Sequence, residues 1–375
     1  GQLSASPQLV TERSALVSGD HPSDIIFTSG TTGNPKGVIT THQQNLRTFT
    51  IWSDLVGLDQ SDRYLIVNPF FHSFGYKAGI LACLLKGCTL IPQLVFDVDQ
   101  VLERIAADKI TMLPGPPTLY QSLLAHPKLN DYDLNSLTKA TTGAAVIPTE
   151  LIDNIRQRLG ITTVLTAYGL SESCGLATMC RHGDPSATIA STSGRAIPGI
   201  EVACLDRDGR HCNADEIGEI VIRGFNVMQG YLDSPEATAE SIDTAGWLHT
   251  GDIGSLDSDG NLKITDRLKD MYISGGFNCY PAEIESSLNR HPSIVMSAVI
   301  GIAETLMGEV GAAFIQSADP ELDADAMHQW CRTNMANYKV PKHFIFVDSL
   351  PLNATGKIHK PTLHESWSKG QSTSL

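Results

Sequence analysis

Short apolar runs alternate with amphipathic stripes through the first half of the chain. Ile25-Ile26-Phe27 reads as the end of a buried strand, and Tyr64-Leu65-Ile66-Val67 as another. Residues 99–109 place Val101, Leu102, Ile105 and Ala106 on one helical face. A strand over 110–113 follows and stops hard at Pro114-Gly115-Pro116-Pro117. Residues 148–159 predict a helix with a proline near its start, feeding a strand over 163–167. This alternation of strand and helix, from Asp24 to about Ala167, predicts a large N-terminal α/β domain. From about Gly194 the texture changes to short strands and turns. Val202-Ala203-Cys204-Leu205, the turn Asp206-Arg207-Asp208-Gly209 and the run Gly218-Glu219-Ile220-Val221-Ile222 predict a small β-subdomain. The turn Asp257-Ser258-Asp259-Gly260 closes a further hairpin. Residues 1–24 are polar and rich in Ser and Pro, and read as a linker.

Composition narrows the classes of function. The 375 residues are 42% hydrophobic, enough for two domains with cores of their own. A net charge of −14 argues against bulk binding to nucleic acid or anionic membranes. Eight cysteines, with no CxxC or Cys/His pair at zinc spacing, predict reduced thiols in a cytoplasmic protein rather than disulfides or metal. No run of 18 apolar residues predicts a membrane span.

The densest chemistry lies in Thr28-Ser29-Gly30-Thr31-Thr32-Gly33-Asn34-Pro35-Lys36-Gly37. Small hydroxyl residues and glycines leave backbone N–H groups available to phosphate oxygens, and Lys36 adds a point charge. A Walker A loop has glycine directly before its lysine; here Pro35 stands there. Four further stretches follow in order. They are Tyr168-Gly169-Leu170-Ser171-Glu172-Ser173, Gly246-Trp247-Leu248-His249-Thr250-Gly251-Asp252, Asp266-Arg267-Leu268-Lys269-Asp270 and Pro351-Leu352-Asn353-Ala354-Thr355-Gly356-Lys357-Ile358. Together these resemble the signatures of the acyl-adenylate-forming enzymes, in the acyl-CoA synthetase branch, across nearly the whole chain. Members of that family have a long section before the phosphate loop. The resemblance therefore implies that the sequence is an N-terminally truncated piece.

The resemblance implies a large domain over residues 1–266 and a smaller, mobile α+β C-terminal domain over 267–375. It implies ATP, Mg²⁺ and coenzyme A as ligands, with Ser29, Thr31, Thr32, Gly33 and Lys36 on the β- and γ-phosphates. Glu172 would take Mg²⁺, whose hardness suits carboxylate oxygen, and Ser171 would bind the α-phosphate. Tyr168 would stack on adenine, or be a core aromatic at a strand end. Gly143, Ala144 and Ala145 would flank the base, or form a plain turn, and Gly169 belongs to the same cofactor-binding set. Asp252 would accept the ribose hydroxyls and Arg267 would reach ribose or phosphate, unless the two are ordinary surface ion-pair partners. Lys357 would bridge carboxylate and α-phosphate as charge develops. Lys269 would be the hinge, and Gly275, Gly276 and Phe277 would line a pantetheine tunnel.

His72 and Phe74, in the aromatic-dense run Phe70-Phe71-His72-Ser73-Phe74-Gly75-Tyr76, fall where the family gates its acyl group; a core histidine is the alternative. Amino-acid-activating relatives carry an aspartate at the position of His72, so an apolar acid is implied. The run also resembles ligases for bulky ring-bearing propionates, with a fatty acid as the alternative. Adenylation feeding a carrier protein, and an inactive nucleotide-binding relative, are competing functions.

Overall fold

The apolar runs of the first half line up as the middle of a seven-stranded sheet in the computed structural model, which describes residues 6–28, 35–143, 147–268, 270–352 and 358–370. The sheet runs Thr89–Pro92, Arg63–Ile66, Met112–Pro114, Lys139–Thr142, Thr163–Tyr168, Thr178–Met179, Arg195–Ala196. The first five strands are parallel, and the last two turn antiparallel. Tyr64 pairs with Met112, Leu113 with Ala140, and Ala140 with Val164, all of them buried. A parallel sheet covered on both faces needs such near-continuous apolar strands.

Helices supply the covering layers. Helix Val98–Asp108 buries Val101, Leu102 and Ile105, within a residue of the span the stripe predicts. Asp97 caps its start by accepting the Gln100 N–H at 2.9 Å, and Lys109 ends it in the left-handed region. Helix His42–Val56 opens with a capping box between Thr41 and Gln44 and buries Phe49, Trp52 and Val56. Trp52 stacks on Tyr64 of the sheet at 6.4 Å.

Two expectations at the N-terminus are corrected. The supposed linker contains a helix, Pro7–Ala15, that buries nothing. Proline in its first turn favours helix, and no apolar face was there to reveal it. Residues 22–28 do form a strand, yet Ile25 is 43% and Phe27 62% exposed. The strand pairs antiparallel with Lys36–Thr41, which in turn pairs with Gly230–Tyr231, in a three-stranded sheet outside the parallel core. An apolar run alone does not say whether its second face is covered.

The β-subdomain is present as a four-stranded sheet in the order Ile200–Leu205, Gly218–Gly224, Leu248–Leu256, Leu262–Arg267, its first two strands antiparallel. Its predicted turns close through aspartate: Asp206 Oδ1 accepts from the N–H of Asp208 and Arg210, and Asp257 Oδ1 from those of Asp259 and Asn261.

The chain divides into two units, residues 1–250 with 255–263, and residues 251–254 with 264–375. The second is built on the hairpin Ile294–Glu304/Gly308–Ser317. Short strands Tyr272–Ser274 and Phe277–Cys279 extend one edge, and His343–Phe346 adds in parallel. Alternation sorts its two faces. Val299, Ala313 and Ile315 pack with Ile284, Met327 and Cys331, while Ala298, Ile300, Ala312 and Phe314 pack with Leu363. All eight cysteines are free thiols. Among the described residues no helix is long and apolar enough to cross a membrane.

Candidate active site

In the first unit, three expected elements converge on the strand ends. Strand Thr163–Tyr168 delivers Tyr168, and strand Lys139–Thr142 delivers Gly143 beside it, at the C-terminal ends where open α/β sheets bind ligands. Tyr168 is buried in a cluster with Val38, Ala177 and Ile220. A Cβ on Gly169 would lie 2.5 Å from the backbone of Gly175, so only glycine lets the segment fold back this tightly. The fold-back makes Ser171–Ser173 a single 3₁₀ turn. It presents half-buried Ser171 and Glu172, and the Leu170 N–H donates to Ser173 Oγ at 3.1 Å.

The segment 226–232 stitches this turn to the hairpin of strands Pro22–Thr28 and Lys36–Thr41. Met228 N–H donates to the Glu172 carbonyl at 2.8 Å, Asn226 Nδ2 to the Leu176 carbonyl at 2.8 Å, and Leu232 N–H to the Gly37 carbonyl at 2.8 Å. Tyr231 joins the two charges. Its hydroxyl donates to Glu172 Oε1 at 3.0 Å, and Lys36 Nζ sits 4.9 Å from the centre of its ring. Burial, followed by the Glu172 charge, pushes the Tyr231 phenol well above its usual range, so it stays a donor. Sequence reasoning missed Tyr231. It follows Gly230 in a stretch with no period, and nothing local marks it as polar machinery.

In the aromatic-dense run, His72 is exposed and its Nδ1 accepts the Phe74 N–H at 3.2 Å, which puts the neutral ring's proton on Nε2. Phe74 opens the π-helix Phe74–Leu81 and packs edge-on against Trp52 at 6.3 Å.

The second unit holds the other expected residues. Buried Asp252 pairs with half-exposed Arg267, Oδ1 to Nε 3.1 Å. Neighbouring Asp266 is buried and accepts N–H bonds from Arg267 and Ala282, each at 2.7 Å. Burial is the dominant influence on its carboxyl, which is raised to about 6. Gly275 and Gly276, with φ of 56° and 87°, make the tight turn between Tyr272–Ser274 and Phe277–Cys279. Phe277 is 57% exposed and stacks on Tyr338 at 4.7 Å.

Ser29, Thr31, Thr32, Gly33, Ala144, Ala145, Lys269 and Lys357 lie outside the described residues. The flanks of the last are described: Leu352 and Ile358 form an antiparallel bridge.

A carboxylate and a serine just beyond the end of a parallel strand thus lie near the lysine of the antiparallel hairpin, an arrangement suited to an anion and its counter-cation. The chain belongs to the AMP-binding enzyme family: its profile matches residues 2–232, and that of the AMP-binding enzyme C-terminal domain matches residues 283–357.

The chain is 50% identical over 354 residues to the 3-((3aS,4S,7aS)-7a-methyl-1,5-dioxo-octahydro-1H-inden-4-yl)propanoyl:CoA ligase of Rhodococcus jostii, covering 94% of this chain and 67% of that protein. It is 51% identical to the ligase of the same name from Mycobacterium tuberculosis, covering 95% and 68%. The chain thus spans about two thirds of the length of these relatives. Among solved structures it is similar to o-succinylbenzoate coenzyme A synthetase from Bacillus subtilis in complex with ATP and magnesium ion. That match has a TM-score of 0.84 at 32% identity, over 92% of this chain and 70% of that one.

Proposed function

We propose that the protein is an ATP-dependent acid–CoA ligase that makes an acyl-adenylate and then an acyl-CoA. In the first half-reaction a carboxylate oxygen of the acid bonds to the α-phosphorus of ATP, and the bond to pyrophosphate breaks. In the second the coenzyme A sulfur bonds to the acyl carbon, AMP leaves, and the thiol proton passes to solvent. The observation that carries this reading is the meeting of Lys36 and Glu172 on Tyr231. A cation for phosphate and a carboxylate for its counter-ion are held side by side without neutralising each other.

The donor chemistry fits Mg²⁺. Among the described residues no three His, Cys, Asp or Glu side chains form a metal cage. A Mg²⁺ ion that keeps phosphate and water ligands needs only one or two carboxylates. Glu172 would hold it, and the ion would supply charge neutralisation on the phosphates. Lys36 with Ser29, Thr31, Thr32 and Gly33 grips the outgoing pyrophosphate, and Ser171 donates to the α-phosphate. Tyr168, Gly143, Ala144, Ala145 and Gly169 frame the base. Asp252 takes the ribose hydroxyls, with Arg267 beside it. Lys357 steadies the charge that builds on the α-phosphate, and movement about Lys269, between domains 1–266 and 267–375, exchanges it for the loop Gly275-Gly276-Phe277 at the thiol step.

The acid is a bulky ring-bearing propanoate held near His72 and Phe74, the substrate class that the two most similar of the relatives named above carry in their names. A fatty acid is the alternative on the same apolar pocket. The eight free thiols support a reducing compartment such as the cytoplasm. The test is a panel of ring-bearing propanoates and fatty acids assayed with Mg-ATP for coenzyme-A-dependent AMP release, with the thioester confirmed by mass. Pyrophosphate release without thioester would move the acceptor to a carrier protein. Nucleotide binding without pyrophosphate release would make this an inactive relative.

A further inference from the structure

A charged group that the chemistry above does not use lies under the site. Lys77 is 1% exposed, in the middle of the π-helix Phe74–Leu81. Its Nζ lies 3.3 Å from Asp24 Oδ1 and donates to Thr40 Oγ1 at 3.1 Å. Thr40 Oγ1 donates to Asp24 Oδ1 at 2.8 Å, and Asn45 Nδ2 donates to Asp24 Oδ2 at 2.6 Å and to Thr40 Oγ1 at 3.1 Å. Four side chains from four elements thus close one network: strand Pro22–Thr28, strand Lys36–Thr41, helix His42–Val56 and the π-helix.

Burying two opposite charges seldom gains stability over an apolar pair of the same volume; what it supplies is directional geometry. Here the geometry joins particular things. Asp24 and Thr40 sit on the two arms of the hairpin whose tip is the phosphate loop, four residues from Thr28 and four from Lys36. Lys77 lies three residues beyond Phe74 on the same π-helix. π-Turns, with their extra residue, gather at functional sites.

We infer that Lys77 and Asp24 are a positioning pair that locks the acyl-side helix to the stem of the phosphate loop, so that acid and Mg-ATP are presented in one frame. The inference rests on the ligase reading for its acid half only; the ATP half rests on nucleotide binding.

The test uses Lys77→Met, Asp24→Asn and the double variant K77M/D24N. Thermal melting is read beside kcat and KM for pyrophosphate release, with Mg-ATP, 3-cyclohexylpropanoate and decanoate as probes. Each single variant leaves a buried polar group without its partner and melts lower. The double variant removes both charges and melts close to the parent. Even so, its kcat/KM should fall by about ten- to a hundred-fold, the loss expected when reactants are misplaced by about an ångström. KM for Mg-ATP and for the acid should rise together.

A double variant with parental kinetics would show that the pair only fills space, and would overturn the inference. So would activity that recovers in step with the melting temperature. If the parent releases no pyrophosphate with either acid, the ligase reading fails separately. Calorimetric affinity for Mg-ATP then decides: weakening at unchanged melting temperature supports the pair, and unchanged affinity overturns it.

Discussion

Two of the charged clusters in this protein are built on opposite principles. In the first unit Lys36 and Glu172 share a neighbour, Tyr231, whose ring face meets the ammonium and whose hydroxyl meets the carboxylate. In the second unit Asp252 and Arg267 meet directly, at 3.1 Å. The first arrangement keeps each charge available to a ligand of opposite sign. The second gives its charge to an internal partner, so any ligand of Asp252 must compete with a guanidinium. Pre-organised charge favours catalysis, because no reorganisation is left to do at the moment of reaction. An ion pair that must open suits recognition coupled to a change of state, such as the arrival of a nucleotide.

The sharpest way to break this contrast is Glu172→Gln. The amide keeps the size and the bond to Tyr231 but loses the anion. We expect pyrophosphate release to fall on the order of 100- to 1,000-fold, mostly in kcat. Steady-state rates across a Mg²⁺ titration would check it, and a loss confined to KM would mean that the carboxylate merely binds.

Asp252→Asn comes next. It should raise KM for Mg-ATP by about ten-fold or more, the worth of hydrogen bonds to a charged group, with a smaller change in kcat. If the pair is only structural, the melting temperature will drop and KM will not move.

Tyr231→Phe probes the joint itself. The ring stays under Lys36 while the hydroxyl leaves Glu172. A net loss of one hydrogen bond predicts a decrease of about three- to ten-fold in kcat/KM. A decrease as large as that of Glu172→Gln would show that the hydroxyl takes part in the chemistry.

What could be read in advance follows from where the signal is local. Helix Val98–Asp108 was legible because its apolar stripe is local, and the strand after it because a proline-rich stop follows at once. Lys36, Ser171 and Glu172 were singled out through their motifs, and the structure brings Lys36 and Glu172 together on Tyr231. Tyr231 itself was not, since it becomes polar machinery only when segment 226–232 is laid between two distant loops. Lys77 and Asp24 were illegible for a related reason. They are 53 residues apart, and a lysine among aromatics looks like any solvated charge until the fold seals it. The exposed Phe27 shows the converse: a hydrophobic run specifies a strand but not the cover of its second face.

The smallest expected effect lies beside the Asp252–Arg267 pair. Asp266 has its carboxyl raised to about 6 from an ordinary 3.8, chiefly by burial, although N–H bonds from Ala282 and Arg267 and the Lys360 charge pull the other way. The fold therefore prefers the protonated acid. Its contribution to stability is complete below about pH 3.8 and is lost as pH rises through about 6. By neutral pH the loss is about 2–3 kcal/mol, taken from a shift of about two pKa units. Asparagine cannot titrate. Asp266→Asn has one acceptor oxygen where the carboxylate uses two, so the variant carries a constant penalty from the unmatched N–H. The informative quantity is therefore the slope with pH, not the offset. Urea unfolding of parent and variant between pH 4 and pH 7 should show the stability difference moving steadily in favour of the variant. A difference that stays flat across that window would mean that Asp266 is charged throughout. The polar network around Asp252 would then be stabilised by the Asp266 carboxylate, not strained by it.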